Sequence, residues 1–103
     1  MRPRRVRSTA TAQRHITREK TWWLENRLHT EVFATELEDA LRVLSLLPAA
    51  GPPYTAAGVP SLRRLYLPKL TCHLYYTFDE REVIVRAVWG ARQQRDPNLK
   101  LSR

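Results

Sequence analysis

Six side chains in the second half of the chain carry most of the chemistry this sequence offers: Arg63, Arg64, His73, Tyr75, Arg86 and Arg92. Arginine presents a planar fork that matches phosphate and carboxylate. Imidazole titrates near neutrality, and an aromatic ring offers a flat stacking face. Together these types suit recognition of an anionic partner. His73 could also move a proton, although a histidine within a strand more often makes one local hydrogen bond. The Arg63-Arg64 pair reads either as an anion contact or as a solvated surface. Three histidines and one cysteine lack metal-ligand spacing, and neither a glycine-rich phosphate loop nor a Ser-His-Asp arrangement occurs. No metal and no cofactor is expected. Cys72 reads as a buried, inert thiol.

Periodicity supplies the elements that must position these groups. Residues 4–8 suit a short first strand. From Ala10 the spacing of Ala12, Ile16, Trp23, Leu24 and Leu28 predicts a helix, with Arg14, Arg18, Glu19, Lys20 and Glu25 on its other faces. One of Trp22 and Trp23 should enter the core and the other lie partly exposed. Thr30 is an expected N-cap. Phe33, Leu37, Ala40, Leu41, Leu44 and Leu47 then form the apolar stripe of a second helix, which Pro48 ends. Pro48 to Pro60 holds four prolines and two glycines and reads as a loop. Strands are expected at 62–67, 71–78 and 82–89, with Asp79-Glu80-Arg81 as a turn, in an antiparallel meander. Two helices on one face of that sheet make an α+β domain spanning 1–103, with 1–3 and 100–103 as flexible tails.

Strand alternation assigns the faces. Cys72, Leu74, Tyr76 and Phe78 point one way with Val83, Val85, Ala87 and Trp89, towards the helices. His73, Tyr75 and Arg86 then share the opposite face with Ile84 and Val88. One member of the Arg63-Arg64 pair should join them, on an open, cationic sheet surface.

Bulk properties narrow the class. The chain has 103 residues and a net charge of +8, enough for one modest core. Residues 1–20 hold seven Arg/Lys against one acid, 21–60 two against five, and 61–103 nine against four. Two basic ends flanking an acidic middle favour an acidic partner, either phosphate backbone or an acidic protein segment. No apolar run reaches the roughly 20 residues of a membrane span, and no signal-peptide apolar stretch follows the basic residues at 1–7. A cytoplasmic protein with no membrane partner is expected. One cysteine fits a reducing compartment.

The order strand, helix hairpin, three-stranded meander resembles the RelE/ParE toxin fold. Trp22-Trp23-Leu24-Glu25-Asn26-Arg27 looks like the end of that family's first helix. Phe33, Glu36, Leu37 and Ala40-Leu41, followed by Pro48 and Gly51, look like its second. Arg63-Arg64-Leu65, His73-Leu74-Tyr75-Tyr76 and Val88-Trp89-Gly90-Ala91-Arg92 resemble its sheet, and Pro97 with Leu99 the tail of its ParE-like branch. The resemblance implies the toxin of a type II toxin–antitoxin system, bound by a cognate antitoxin in a hetero-oligomer. RelE-like members cleave messenger RNA on the ribosome; ParE-like members poison DNA gyrase. In the nuclease case His73, Arg86 and Arg92 would be the catalytic set. The active nucleases tend to place a Tyr or His near the chain end, and residues 92–103 contain neither. The expected function is therefore ParE-like inhibition of gyrase, with ribosome-dependent cleavage as the alternative.

Overall fold

Thr9 is where the first strand becomes a helix. Its Oγ1 accepts the Ala12 N–H at 3.1 Å and its carbonyl accepts that of Gln13 at 2.9 Å, an N-cap that satisfies donors a helix start otherwise leaves open. The elements are β1 (Arg5–Ser8), α1 (Ala10–Asn26), α2 (Glu31–Leu46), β2 (Arg63–Leu67), β3 (Cys72–Phe78) and β4 (Glu82–Gly90). They belong to a computed structural model that describes residues 2–26, 29, 31–56, 58–93, 95, 97 and 99. Leu28, the expected cap Thr30 and the expected tail at 100–103 lie outside the described residues.

The sheet runs β1-β4-β3-β2. β2, β3 and β4 form the expected antiparallel meander, while β1 joins it parallel to β4, Arg5 opposite Glu82 and Ser8 opposite Val85. The sheet is therefore mixed, because strand and partner are joined through the helices and meander rather than a hairpin. Both helices pack on one face. Ala12, Ile16, Trp23, Phe33, Leu37, Ala40 and Leu44 meet Cys72, Leu74, Tyr76, Val83, Val85 and Val88 in the main core. Trp23 is buried and Trp22 half-buried, as their types suggest. Two stripe positions differ from expectation. Leu24 is 69% exposed, and Leu47, just past the end of α2, is 59% exposed.

A bulge decides the faces of β4. Tyr75 lies opposite Ala87, yet Tyr76 lies opposite Val85, so Arg86 is an extra residue between them. One inserted residue inverts the alternation beyond it. Val88 therefore turns to the helices, and Ala87 and Trp89 face away, the reverse of strict alternation from Val83.

Nor is the second face open. Tyr54, Ala56, Val59 and Leu62 from the proline-rich loop, with Leu99, pack on Tyr75 and Ala87. The Tyr76 hydroxyl staples that loop from the other side, donating to Pro48 O at 2.6 Å and accepting from Gly51 N at 2.9 Å. A Cβ at Gly51 would sit 2.9 Å from the same hydroxyl, so this approach needs glycine.

β1 ends at Ser8, leaving the outer edge of β4 to be covered by α1. Thr9 N–H donates to Val85 O at 3.0 Å, and the Val88 N–H donates to His15 Nδ1 at 3.3 Å. His15 takes the place of a strand acceptor, which is why a buried imidazole belongs there.

Candidate functional site

On the second face, the loop and tail leave a cleft of about 350 Å3 lined by Arg64, His73, Tyr75, Trp89, Gly90, Ala91, Gln93 and Arg95. β2 places Arg64 and β3 places His73 and Tyr75. The Arg64 guanidinium lies 4.2 Å from the Tyr54 ring centre and 5.9 Å from that of Tyr75, close enough for cation–π attraction. Tyr75 is not the exposed ring the alternation suggested. It is 2% exposed, roofed by the loop, and supports Arg64 from beneath.

His73 is half-buried between Tyr66, with ring centres 4.9 Å apart, and Tyr75, at 6.3 Å. Its buried Nδ1 has no hydrogen-bond partner among the described residues. Burial, and secondarily the charge of Arg64, hold its pKa below the usual histidine value, so the neutral imidazole dominates at neutral pH. At the far wall, Trp89 Nε1 donates to Arg95 O at 2.5 Å. His15 and the Arg18 guanidinium pack on the Trp89 ring at 5.0 and 4.6 Å.

The other sequence-predicted residues stand elsewhere. Arg63 turns from Arg64 to the opposite face, donating to Gly51 O at 2.8 Å and lying 5.7 Å from the Phe78 ring centre. Arg86 projects from the bulge and donates through Nε to Thr77 Oγ1 at 3.0 Å. Burial, then the neighbouring charge of Arg7, lower its pKa. A bulge commonly re-aims one side chain, and here it sends an arginine beside β1.

Arg92 is the largest departure. Its guanidinium grips Glu19 with both forks, Nη1 to Oε1 at 2.8 Å and Nη2 to Oε2 at 3.0 Å, and lies 4.3 Å from the Trp22 ring centre. Glu19 is 0% exposed, although the sequence reading set it among the outward charges. Its position in phase with Ala12, Ile16 and Trp23 was the signal that it sits on the buried stripe. Cys72 Sγ approaches the same Oε1 at 3.6 Å, and burial first, then Glu19, push its pKa up to about 12. The thiol is buried and protonated, as expected. Gly90 completes the clamp, since a Cβ there would come within 2.8 Å of Arg92 Nη1.

A cleft with cations at its walls, a neutral imidazole and aromatic rings can hold an anionic or carbonyl-bearing surface by charge and stacking. Among the described residues no group of three metal-ligating side chains occurs, and no helix is long and apolar enough to cross a membrane.

The architecture, two helices on one face of a four-stranded mixed sheet in the order β-α-α-β-β-β, is the RelE/ParE toxin fold. The chain is similar to one in the toxin–antitoxin complex RelBE2 from Mycobacterium tuberculosis, at 24% identity and a TM-score of 0.64, covering 85% of this chain and 98% of that one. It is also similar to one in the chromosomal ParDE TA system from P. aeruginosa, at 12% identity and a TM-score of 0.66, covering 84% and 95%. No protein-family model and no curated protein matches the chain.

Proposed function

We propose that the chain is the toxin of a type II toxin–antitoxin system, a ParE-like protein that inhibits DNA gyrase by binding it and is neutralised by a cognate antitoxin in a hetero-oligomer. Arg64 and Arg86 supply positive charge on its second face, beside the neutral imidazole of His73, with Tyr75 as the ring under Arg64. The Glu19–Arg92 pair carries this choice. Cleavage of RNA needs a cation free to stabilise the charge developing on the phosphate, and Arg92, one of the two arginines in the expected catalytic set, is bound to a buried carboxylate. Inhibition by binding asks only for placed charge and shape. Both similar chains come from toxin–antitoxin structures, which supports an antitoxin partner.

The test is expression of the chain with and without its neighbouring antitoxin, together with purified gyrase. Growth arrest with filamentation, a DNA-damage response and intact messenger RNA is expected, as is loss of supercoiling in vitro. Arg64→Ala and Arg86→Ala should weaken that inhibition by graded amounts.

One observation favours the second reading, a ribosome-dependent endoribonuclease. His73 lines the cleft as a neutral imidazole, the form in which a histidine can take up a proton. Ribosome-dependent cuts in messenger RNA, abolished by His73→Ala with antitoxin binding preserved, would replace gyrase as the target.

A further inference from the structure

None of the seven cations in residues 1–20 lines the Arg64–His73 cleft, and four of them mark out a surface of their own. Val6 packs on the main core, so its strand neighbours Arg5 and Arg7 point to the second face. Both are exposed, Arg5 opposite Glu82 and Arg7 opposite Ile84 on β4. Next along β4 comes Arg86, which meets Thr77 Oγ1 on the same face and feels the charge of Arg7. There β1 has ended and α1 takes over the edge of β4, with Thr9 Oγ1 on the Arg86 carbonyl at 3.4 Å. Arg18 reaches the second face over the Trp89 ring, 4.6 Å from its centre. Arg14 stands one turn earlier on the same side of α1 and is exposed.

The five arginines follow the outer edge of β4 from the level of Glu82 to that of Trp89, roughly 23 Å of strand. Among the described residues one carboxylate pairs with this row, Glu82 with Arg7 at 3.1 Å, and that pair is exposed enough to exchange. Arg5, Arg14 and Arg18 form no ion pair among the described residues. At the Arg5 end the surface stays positive, with four arginines against the three carboxylates of Asp79, Glu80 and Glu82 in one hollow. A single strand binds best where its bases can stack. The row lacks that platform, because Arg18 and His15 cover Trp89, and the exposed Tyr66 lies on β2 at the far edge of the sheet. Guanidiniums without a stacking ring read the phosphate backbone and not the bases. A duplex presents that backbone as one charge per about 1.7 Å of its axis, about 14 over the length of the row.

We propose that Arg5, Arg7, Arg14, Arg18 and Arg86 bind the phosphate backbone of double-stranded DNA without regard to its sequence. The source of that duplex rests on the gyrase reading: it is the DNA that gyrase holds. The row then grips DNA while the neighbouring Arg64–His73 cleft faces the enzyme. The chain's net charge of +8 draws it to such a polyanion.

The probe is a fluorescein-labelled duplex of about 20 base pairs, titrated with the purified chain by anisotropy from about 50 to about 200 mM salt, the range over which phosphate contacts weaken steeply. Single-stranded RNA of the same length is measured beside it. The logarithm of the duplex binding constant should fall with that of salt at a slope of about −4 to −5, five contacts at about −0.9 each. Arg5→Ala and Arg14→Ala should each weaken the complex several-fold and reduce the slope by about 1. Arg42→Ala, which removes an exposed arginine of α2 from the other side of the sheet, should change neither. All three sites are exposed, and thermal melts by circular dichroism should stay near wild type. Equal losses in Arg42→Ala and Arg5→Ala overturn the proposal, because net charge rather than the row is then responsible. So do tighter binding of the single-stranded RNA, and a duplex that binds weakly at low salt or independently of salt. Supercoiling by gyrase is read separately. Absent DNA binding with gyrase inhibition intact removes the DNA contact alone, and DNA binding without gyrase inhibition removes the gyrase reading alone.

Discussion

Replacing Arg92 by leucine strands a carboxylate inside the protein. Glu19 is 0% exposed, and both its oxygens receive guanidinium hydrogen bonds, at 2.8 and 3.0 Å. Among the described residues the other donor in reach is the Cys72 thiol at 3.6 Å, a weak one. Removing one partner of a buried ion pair costs about 3–5 kcal/mol, because the remaining charge has lost both water and its counter-ion. The Arg92 side chain is 33% exposed, so water already screens part of the attraction and the lower end, about 3 kcal/mol, applies. That is a large share of the roughly 5–15 kcal/mol that holds a domain together. At roughly 4–8 °C per kcal/mol, the midpoint of a thermal melt followed by circular dichroism should fall by about 12–24 °C. The double variant Glu19→Leu/Arg92→Leu should recover most of the loss, since an apolar pair of similar volume replaces a buried ion pair at little cost. A single variant that melts with wild type, or a double variant no better than the single, refutes the argument. The same pair of proteins separates the functional readings. A folded double variant should still inhibit gyrase, whereas a nuclease that uses Arg92 on the phosphate would stay inactive.

Four other outcomes follow from the geometry. Tyr76→Phe leaves Pro48 O and Gly51 N without their partner and should cost about 1–3 kcal/mol for each group that water does not reach, read as a lowered urea midpoint. Leu44→Ala, at 0% exposure, should cost about 2–5 kcal/mol, while Leu47→Ala, at 59%, should melt close to wild type. His15 titrates at about 4 instead of 6.5, chiefly through burial and then through Arg18 and Arg14, with Glu19 opposing. The unfolded chain therefore binds the extra proton between those values, so stability present above pH 6.5 should fall as pH drops to about 4, by on the order of 2–3 kcal/mol. In His15→Gln, whose amide oxygen can still accept the Val88 N–H, that part of the pH dependence should vanish. Arg64→Ala should weaken target inhibition several-fold without moving the melt, because its guanidinium rests on Tyr54 and Tyr75 at the rim of the cleft rather than in the core; an unchanged inhibition constant would remove the cleft from the binding face.

The order of the elements and most of the core were legible in the residue pattern. Helical spacing marked Ala12, Ile16 and Trp23 and then Phe33, Leu37, Ala40 and Leu44. Pro48 marked the end of α2, and β-branched and aromatic runs marked β3 and β4 to within a residue. Periods of 3.6 and 2 are local properties, and burial of one face enforces them. Arg64, His73 and the chemistry of a cationic, aromatic patch were legible for the same reason. The remaining features depend on long-range geometry. The bulge at Arg86 arises from the fit of β4 to β3, and strict alternation misassigned Ala87, Val88 and Trp89 because no local signal announces one extra residue. Tyr75 was placed on an open face because nothing local says that the loop before β2 and Leu99 fold across it. Arg92 looked available until α1 brought Glu19 to it from 73 residues away. A charge becomes a structural clamp or a binding group according to what folding sets beside it, and that neighbour is seldom near in sequence.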